Sequence, residues 1–306
     1  MDKLAPIFVI IAAALWGVDG IVLRPELYTL PVPLVVFIET TIVALLLTPF
    51  FIKRYAQIKL LKPKDWLAFI GVALFGGAIG TMAITKALFY VNYVNLSIVV
   101  LIQKLQPVFA VSFAALLLKE HLNKKFYLWA GTAIIGAYLM TFGLKMPVLD
   151  ANDKTTIAAF FAVIATISFA LSTVFSKRAI KNVDFKLATY LRFLLTSGMM
   201  LVIVLSSGIF REVSAVTSRQ SIIFLIIAFT TGGPAIFLYF YGLKRISASV
   251  ATICELSFPL TAIVLEYIIR GNILGPIQWI GVIILLNSII RVTYLKTEKI
   301  EKSKKA

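Results

Sequence analysis

The chain has 306 residues, of which 60% are hydrophobic and only 14% charged, about half the charge with which a soluble domain covers its surface. Its net charge of +16 would suit nucleic acid if the basic residues formed a patch. They are scattered between long apolar runs instead, which argues against nucleic acid and for a membrane protein. No segment is long and polar enough to be a soluble catalytic module, so the function has to lie among the apolar segments.

Apolar runs of roughly 18 to 23 residues recur along the chain, each long enough to cross about 30 Å of hydrocarbon as a helix. In chain order they predict transmembrane helices at 4–23, 33–52, 65–85, 96–118, 126–143, 157–176, 187–207, 220–241, 248–269 and 276–295. The runs are continuously apolar, whereas barrel strands alternate over about ten residues, so the expected fold is all-α and polytopic. The first run lacks a strong basic leader and a cleavage site and has a counterpart later in the chain, which reads as a helix rather than a signal peptide.

Basic residues divide unequally between the two sets of connections. On the side of Lys3 lie Lys53, Arg54, Lys59, Lys62, Lys64, Lys119, Lys124, Lys125, Lys177, Arg178, Lys181, Lys186, Lys244, Arg245 and the C-terminal cluster from Arg291 to Lys305. The other side carries Arg24, Lys86, Lys145, Lys154, Arg211, Arg219 and Arg270. The positive-inside rule then puts both termini in the cytoplasm, with the chain in the cytoplasmic cell membrane and the lipid bilayer as its partner. Trp66 and Trp279 fall where interfacial anchors belong, while Trp16 lies within a span and is a candidate for lining a site. The single cysteine, Cys254, has no internal partner and reads as a packing residue; His121, at a cytoplasmic helix end, is given no role.

Shifting the chain by 152 residues aligns "GTMAITKALFYVNYVNLSIVVLIQKLQPVFAV" with "GGPAIFLYFYGLKRISASVATICELSFPLTAIV", so that Gly80 meets Gly232, Ser97 meets Ser249, Gln103 meets Glu255 and Pro107 meets Pro259. Nearby shifts pair "LVVFIETTIV" with "LATYLRFLLT", placing Glu39 opposite Arg192, and "GTAIIGAYLM" with "GVIILLNSII". Each half holds five helices. An odd number makes the second copy enter the membrane from the opposite side, and inverted repeats of this kind are the sequence mark of alternating-access transporters.

The two halves resemble EamA domains of the drug/metabolite transporter superfamily. The resemblance rests on "AALWGVDGIVL", on "KLQPVFAVSFAALLLKEHLNKKFYLWAGTAIIGAYLM" and on "ELSFPLTAIVLEYIIRGNILGPIQWIGVIILLNSII", and it covers nearly the whole chain. Pro107 followed by Glu120 is its most specific piece; the second copy has Asn272 in place of that glutamate. The resemblance implies two inverted five-helix EamA repeats, at 1–147 and 156–295, with an outer linker at 148–155 and a basic cytoplasmic tail at 296–306. It also implies transport of small metabolites or drugs, often outward, with the fifth and tenth helices peripheral.

An ionised side chain at the bilayer centre costs on the order of 3 kcal/mol, so each one kept there needs a partner or a wet cavity. By depth, Asp19, Glu39 and Lys104 belong to the outer half and Arg192 and Glu255 to the inner half. Lys104 paired with Asp19 or Glu39 would be structural glue. Pro107 removes an N–H and crowds the carbonyl of Gln103, and Pro259 does the same to Glu255, so both backbone oxygens are expected to be freed toward a shared cavity. The expected substrate path comprises Trp16, Asp19, Glu39, Gln103, Lys104, Gln106, Pro107, Arg192, Glu255 and Pro259. "FGGAIG" and "TTGGP" read as close-packing sites in the third and eighth helices, and Glu266 with Arg270 as a surface pair.

A path offering charges of both signs suggests a small polar metabolite, an amino acid or related zwitterion, with a proton taken up by Asp19, Glu39 or Glu255 as the coupling ion. An exporter of cationic drugs, a lipid flippase or a passive channel would use the same bundle. The chain has no HExxH, GxSxG, P-loop or cluster of metal ligands, which argues against an enzyme and against any cofactor or metal.

Overall fold

The computed structural model describes residues 4–51, 55–89, 99, 102–120, 122–144, 146, 153–270 and 274–305. His121 and Asn272 fall outside the described residues, as do the side chains of Glu266 and Arg270. The long helices, in chain order, are α1 (Ala5–Leu27), α2 (Val32–Phe51), α3 (Pro63–Ala87), α4 (Gln106–Leu118), α5 (Lys124–Phe142), α6 (Asp153–Ala179), α7 (Phe185–Ser206), α8 (Ser218–Leu243), α9 (Ala248–Ile269) and α10 (Pro276–Lys305). Seven of them are long and apolar enough to cross a membrane by length and composition: α1, α2, α3, α6, α7, α8 and α9. Leu45, Phe50, Leu116, Leu128, Val202, Phe229 and Ile283 are exposed on the flanks, where a soluble protein would carry charge.

Local sequence explains where these helices start and stop. Asn123, Thr217 and Ser247 cap α5, α8 and α9 by accepting from the N–H groups of Phe126, Gln220 and Val250. Lys119, in a left-handed conformation, ends α4, and Gly143 at φ 62° closes α5. At the far end of α8 the ammonium of Lys177 donates to the last carbonyls, Leu243 O at 2.8 Å and Lys244 O at 3.2 Å.

Helix packing follows a two-fold pattern in which each helix exchanges with the one five places later. The contact of α1 with α8 is matched by α6 with α3, and that of α1 with α9 by α6 with α4. Three pairs are their own mates: α2 with α7, α4 with α9, and α5 with α10. A polar bond crosses each of them. Thr41 and Ser197 hydroxyls meet at 2.7 Å, Gln106 Nε2 donates to Glu255 Oε2 at 2.8 Å, and Thr132 and Ser288 hydroxyls meet at 2.9 Å. With five helices per repeat the second copy is inverted relative to the first.

The fifth and tenth helices pack mainly on each other, beside the rest of the bundle. Their backbones nearly touch: a Cβ at Gly281 would collide with the backbone of Leu139 and Met140, and one at Gly136 would come within 2.7 Å of Leu285 N. The two glycine-bearing motifs also behave as packing sites, and as more than that. "FGGAIG" falls in a π turn spanning Val72–Ile79, and the corresponding helix of the second repeat has a π turn at Ala228–Gly232. Widened turns of this kind free backbone geometry locally and concentrate at functional places.

Two expectations are corrected. The first helix does not stop at residue 23 but continues through a π turn, Asp19–Leu23, and a 3₁₀ turn, Arg24–Leu27. Second, Pro259 does not leave the carbonyl of Glu255 free. The helix breaks after Cys254, the tightened turn lets Phe258 N–H donate to Glu255 O at 3.0 Å, and a new helix starts at Ser257. The turn absorbs the bond that the proline removes, because an N–H three residues on lies within its reach. In the first repeat the equivalent break falls at Lys104 and Leu105, one residue later in register, with Pro107 at the second position of α4.

Candidate functional site

Two buried polar clusters stand in the bundle. The first sits at the end of α1 nearest the α1–α2 connection. Arg24 Nε donates to Asp19 Oδ2 at 2.8 Å, and its Nη2 lies 2.7 Å from Asp19 Oδ2 and 3.1 Å from Glu39 Oε2. Thr231 of α8 donates to Asp19 Oδ1 at 3.4 Å, which ties the second repeat to this cluster. The π turn makes the geometry possible. Its i→i+5 bond, from Arg24 N–H to Asp19 O, brings residues five apart onto nearly the same helix face, where an ordinary α turn would splay them. Arg24 therefore reaches back into the bundle rather than out with the connection. Beyond it, Arg219 pairs with Glu26 at 2.8 Å, Gln220 donates to Glu26 O and Thr29 Oγ1, and Leu23, Leu27, Leu30, Phe224 and Ile227 pack together.

The second cluster is centred on Glu255, at the break in α9. Tyr239 O–H donates to Glu255 Oε1 at 2.8 Å, Thr173 Oγ1 lies 3.4 Å from the same oxygen, and Gln106 Nε2 reaches Oε2. Tyr239 and Thr173 hydroxyls are 3.1 Å apart, and the Trp16 ring lies 5.3 Å from that of Tyr239, tilted by 53°. Four helices, α4, α6, α8 and α9, thus meet at one carboxylate, and α1 adds Trp16 against Tyr239. Arg192 of α7 stands close enough for its charge to act on Glu255 and Tyr239, with its guanidinium carbon 5.9 Å from the Phe240 ring centre. The carboxyl group is held by neutral donors with no counter-ion in contact, and its remaining lone-pair capacity is available to a ligand.

Of the ten residues expected along the path, Trp16, Gln106 and Glu255 come together with Arg192 nearby, and Asp19 and Glu39 come together around Arg24. Lys104 joins neither cluster. It is 4% exposed, and its ammonium has no hydrogen-bond partner among the described residues; the alternative in which it pairs with Asp19 or Glu39 is not seen, because Arg24 holds both carboxylates. Gln103 lies on the last turn before the break, and Pro107 is buried just after it. Sequence reasoning missed Arg24, Tyr239 and Thr173. The spacing of Asp19 and Arg24 was the only signal available for the first; the hydroxyls had none. Among the described residues no group of three or more His, Cys, Asp or Glu is arranged to hold a metal ion.

Glu120, the residue that carried much of the family resemblance, has a physical role at the opposite end of the bundle. Its carboxylate accepts from Ala248 N–H at 2.8 Å, Ser249 N–H at 3.2 Å and Ser249 Oγ at 2.6 Å, capping α9 from the end of α4. A negative charge at a helix N-terminus satisfies orphan donors and opposes the helix dipole. The cap also links the two repeats.

Inverted helical repeats with polar groups buried where they meet define a multi-pass membrane transporter rather than an enzyme. Residues 3–142 and 156–294 each match the EamA-like transporter family, and the chain belongs to that family. It is 44% identical over 290 residues, 94% of this chain and 97% of the relative, to the riboflavin transporter ImpX of Fusobacterium nucleatum. An uncharacterized transporter of Synechocystis is 27% identical over 256 residues, 82% of this chain and 71% of that one. A crystal structure with 16% identity shares the fold at a TM-score of 0.75, covering 97% of this chain and 98% of its own.

Proposed function

We propose that the protein carries riboflavin across the cytoplasmic membrane by alternating access, with both termini in the cytoplasm and the substrate held between the repeats at the Glu255 cluster. The observation that carries this reading is the riboflavin transporter that is 44% identical along nearly its entire length. The chemistry of the cluster agrees with it. Riboflavin is a flat aromatic ring system with a hydroxylated chain, and the cluster combines the rings of Trp16 and Tyr239 with an amide, a hydroxyl and a carboxylate from both repeats. The rest of the expected path, Asp19, Glu39, Gln103, Lys104, Pro107, Arg192 and Pro259, lines the route to and from it.

A zwitterionic amino acid is the weaker fit. The opposite charges that suggested it in the first cluster are engaged with each other through Arg24, leaving no carboxylate there without a cation. Purified protein in proteoliposomes tests the proposal through the fluorescence of riboflavin. Saturable riboflavin flux, indifferent to amino acids, is expected, with Glu255→Ala lowering it at least about 10-fold through loss of the acceptor at the centre of the cluster. Amino-acid flux without riboflavin flux would overturn it.

A further inference from the structure

Among the described residues Arg192, like Lys104, meets no acceptor, and of the two it is the one whose charge acts on Glu255 and Tyr239. Its guanidinium sits beside the π turn of α3, where a Cβ at Gly76 would lie 3.4 Å from Nη1, and faces Phe240. It forms no ion pair and donates no hydrogen bond among the described residues. One turn further along α7, Thr196 is 1% exposed, packed against Gly77, and its hydroxyl also has no partner. Glu255, in contrast, already accepts from three groups. A guanidinium carries five N–H donors and no acceptor. The Thr196 hydroxyl can donate or accept, so donors of the guanidinium dominate the unfilled capacity on this side of the site, and they ask for a ligand edge rich in acceptors.

Resting on the riboflavin reading above, we propose that Arg192 is the specificity-determining residue that docks a carbonyl edge of the flavin ring, while the Glu255 cluster takes the hydroxylated chain. The ring offers two such edges, each a carbonyl oxygen next to an unprotonated ring nitrogen: the 2-carbonyl with nitrogen 1 and the 4-carbonyl with nitrogen 5. Either matches the two parallel N–H groups of a guanidinium fork. Elsewhere the ring offers the donor N–H at nitrogen 3 and an apolar dimethylbenzene end, and the chain hydroxyls both donate and accept, so none of these requires a donor-only partner. A buried donor set left unpaired by an altered ligand rejects that ligand strongly, which gives Arg192 selectivity and not merely affinity.

The test is competition for riboflavin uptake into proteoliposomes containing the full chain, using 2-thioriboflavin and 4-thioriboflavin, in which one carbonyl oxygen is replaced by the weaker acceptor sulfur. In the unaltered protein the analogue changed at the docked carbonyl competes about 10- to 100-fold less well than riboflavin. Arg192→Gln narrows that gap to within about twofold, and Arg192→Lys, which keeps the charge and loses the fork, leaves it intermediate. Because sulfur is larger than oxygen, a gap that persists unchanged in Arg192→Gln is steric and overturns the assignment. Equal competition by both analogues in the unaltered protein overturns it without any variant having to fold. Riboflavin flux with either result leaves the transport reading standing; absence of riboflavin flux removes both.

Discussion

The two polar clusters solve the same problem in opposite ways. Around Arg24, a cation and two carboxylates from one repeat satisfy one another over sequence separations of 5 and 15 residues. Around Glu255, a carboxylate is held by neutral groups over separations of 149, 82 and 16 residues, and the cation of that region stands apart. The first pairs its opposite charges with each other and leaves Arg24 Nη1 as a single buried donor with no partner among the described residues. The second has capacity left over, and its central bond, from Gln106 to Glu255, crosses between the repeats, so a movement of one repeat against the other would change it. Charge density alone does not separate the two clusters; whether each carboxylate is held by a cation or by neutral groups does.

The sharpest way to break the contrast is to unpair the closed cluster. Arg24→Ala strands two buried carboxylates and is expected to cost about 3–5 kcal/mol, visible as a large drop in thermal unfolding temperature in detergent. Combining Arg24→Met with Asp19→Asn and Glu39→Gln removes the charges together and recovers most of the loss. An Arg24→Ala protein as stable as the parent would remove the distinction between the clusters. Next in size, Tyr239→Phe takes a donor from Glu255; about 1.5–3 kcal/mol of stability and roughly a 10-fold fall in riboflavin uptake are expected, the two read on the same preparation. Glu120→Gln keeps the shape of the α9 cap and loses its charge, for about 1 kcal/mol in the same unfolding assay. Smallest is Arg219→Ala, which opens an exposed pair with Glu26 and should fall within about 0.5 kcal/mol of no change.

Much of the architecture was legible because lipid imposes it. The apolar runs follow from the thickness of hydrocarbon, and the matched prolines and glycines carry the duplication; Pro107 and Pro259 do both mark breaks in pseudo-equivalent helices. The site was legible only through its charges. Arg24 was assigned to a connection because an apolar run ends at Leu23, and nothing in a hydropathy pattern signals a π turn that folds the next residue back. Pairing of Lys104 with Asp19 or Glu39 is the alternative that unlike charges at similar depth suggest, but depth is one coordinate of three, and Arg24 is nearer along the chain. Tyr239 and Thr173 are two hydroxyls among many in apolar helices, where such groups commonly bond their own backbone, as Thr173 also does to Phe169 O. Their convergence on Glu255 is a property of tertiary packing.

The near-contact of α5 and α10 backbones at Gly136 and Gly281 has a mechanical consequence. Where no side chain separates the two backbones, at those glycines, the seam is expected to resist sliding and parting, and in an alternating-access cycle it would serve as the spine of a book about which two covers swing. Cysteines replacing Thr132 and Ser288, whose hydroxyls meet 2.9 Å apart on that spine, should cross-link without stopping transport, whereas a bond between Thr41→Cys and Ser197→Cys, out on the covers, should arrest it. If the spine cross-link also arrests transport, the pivot lies elsewhere.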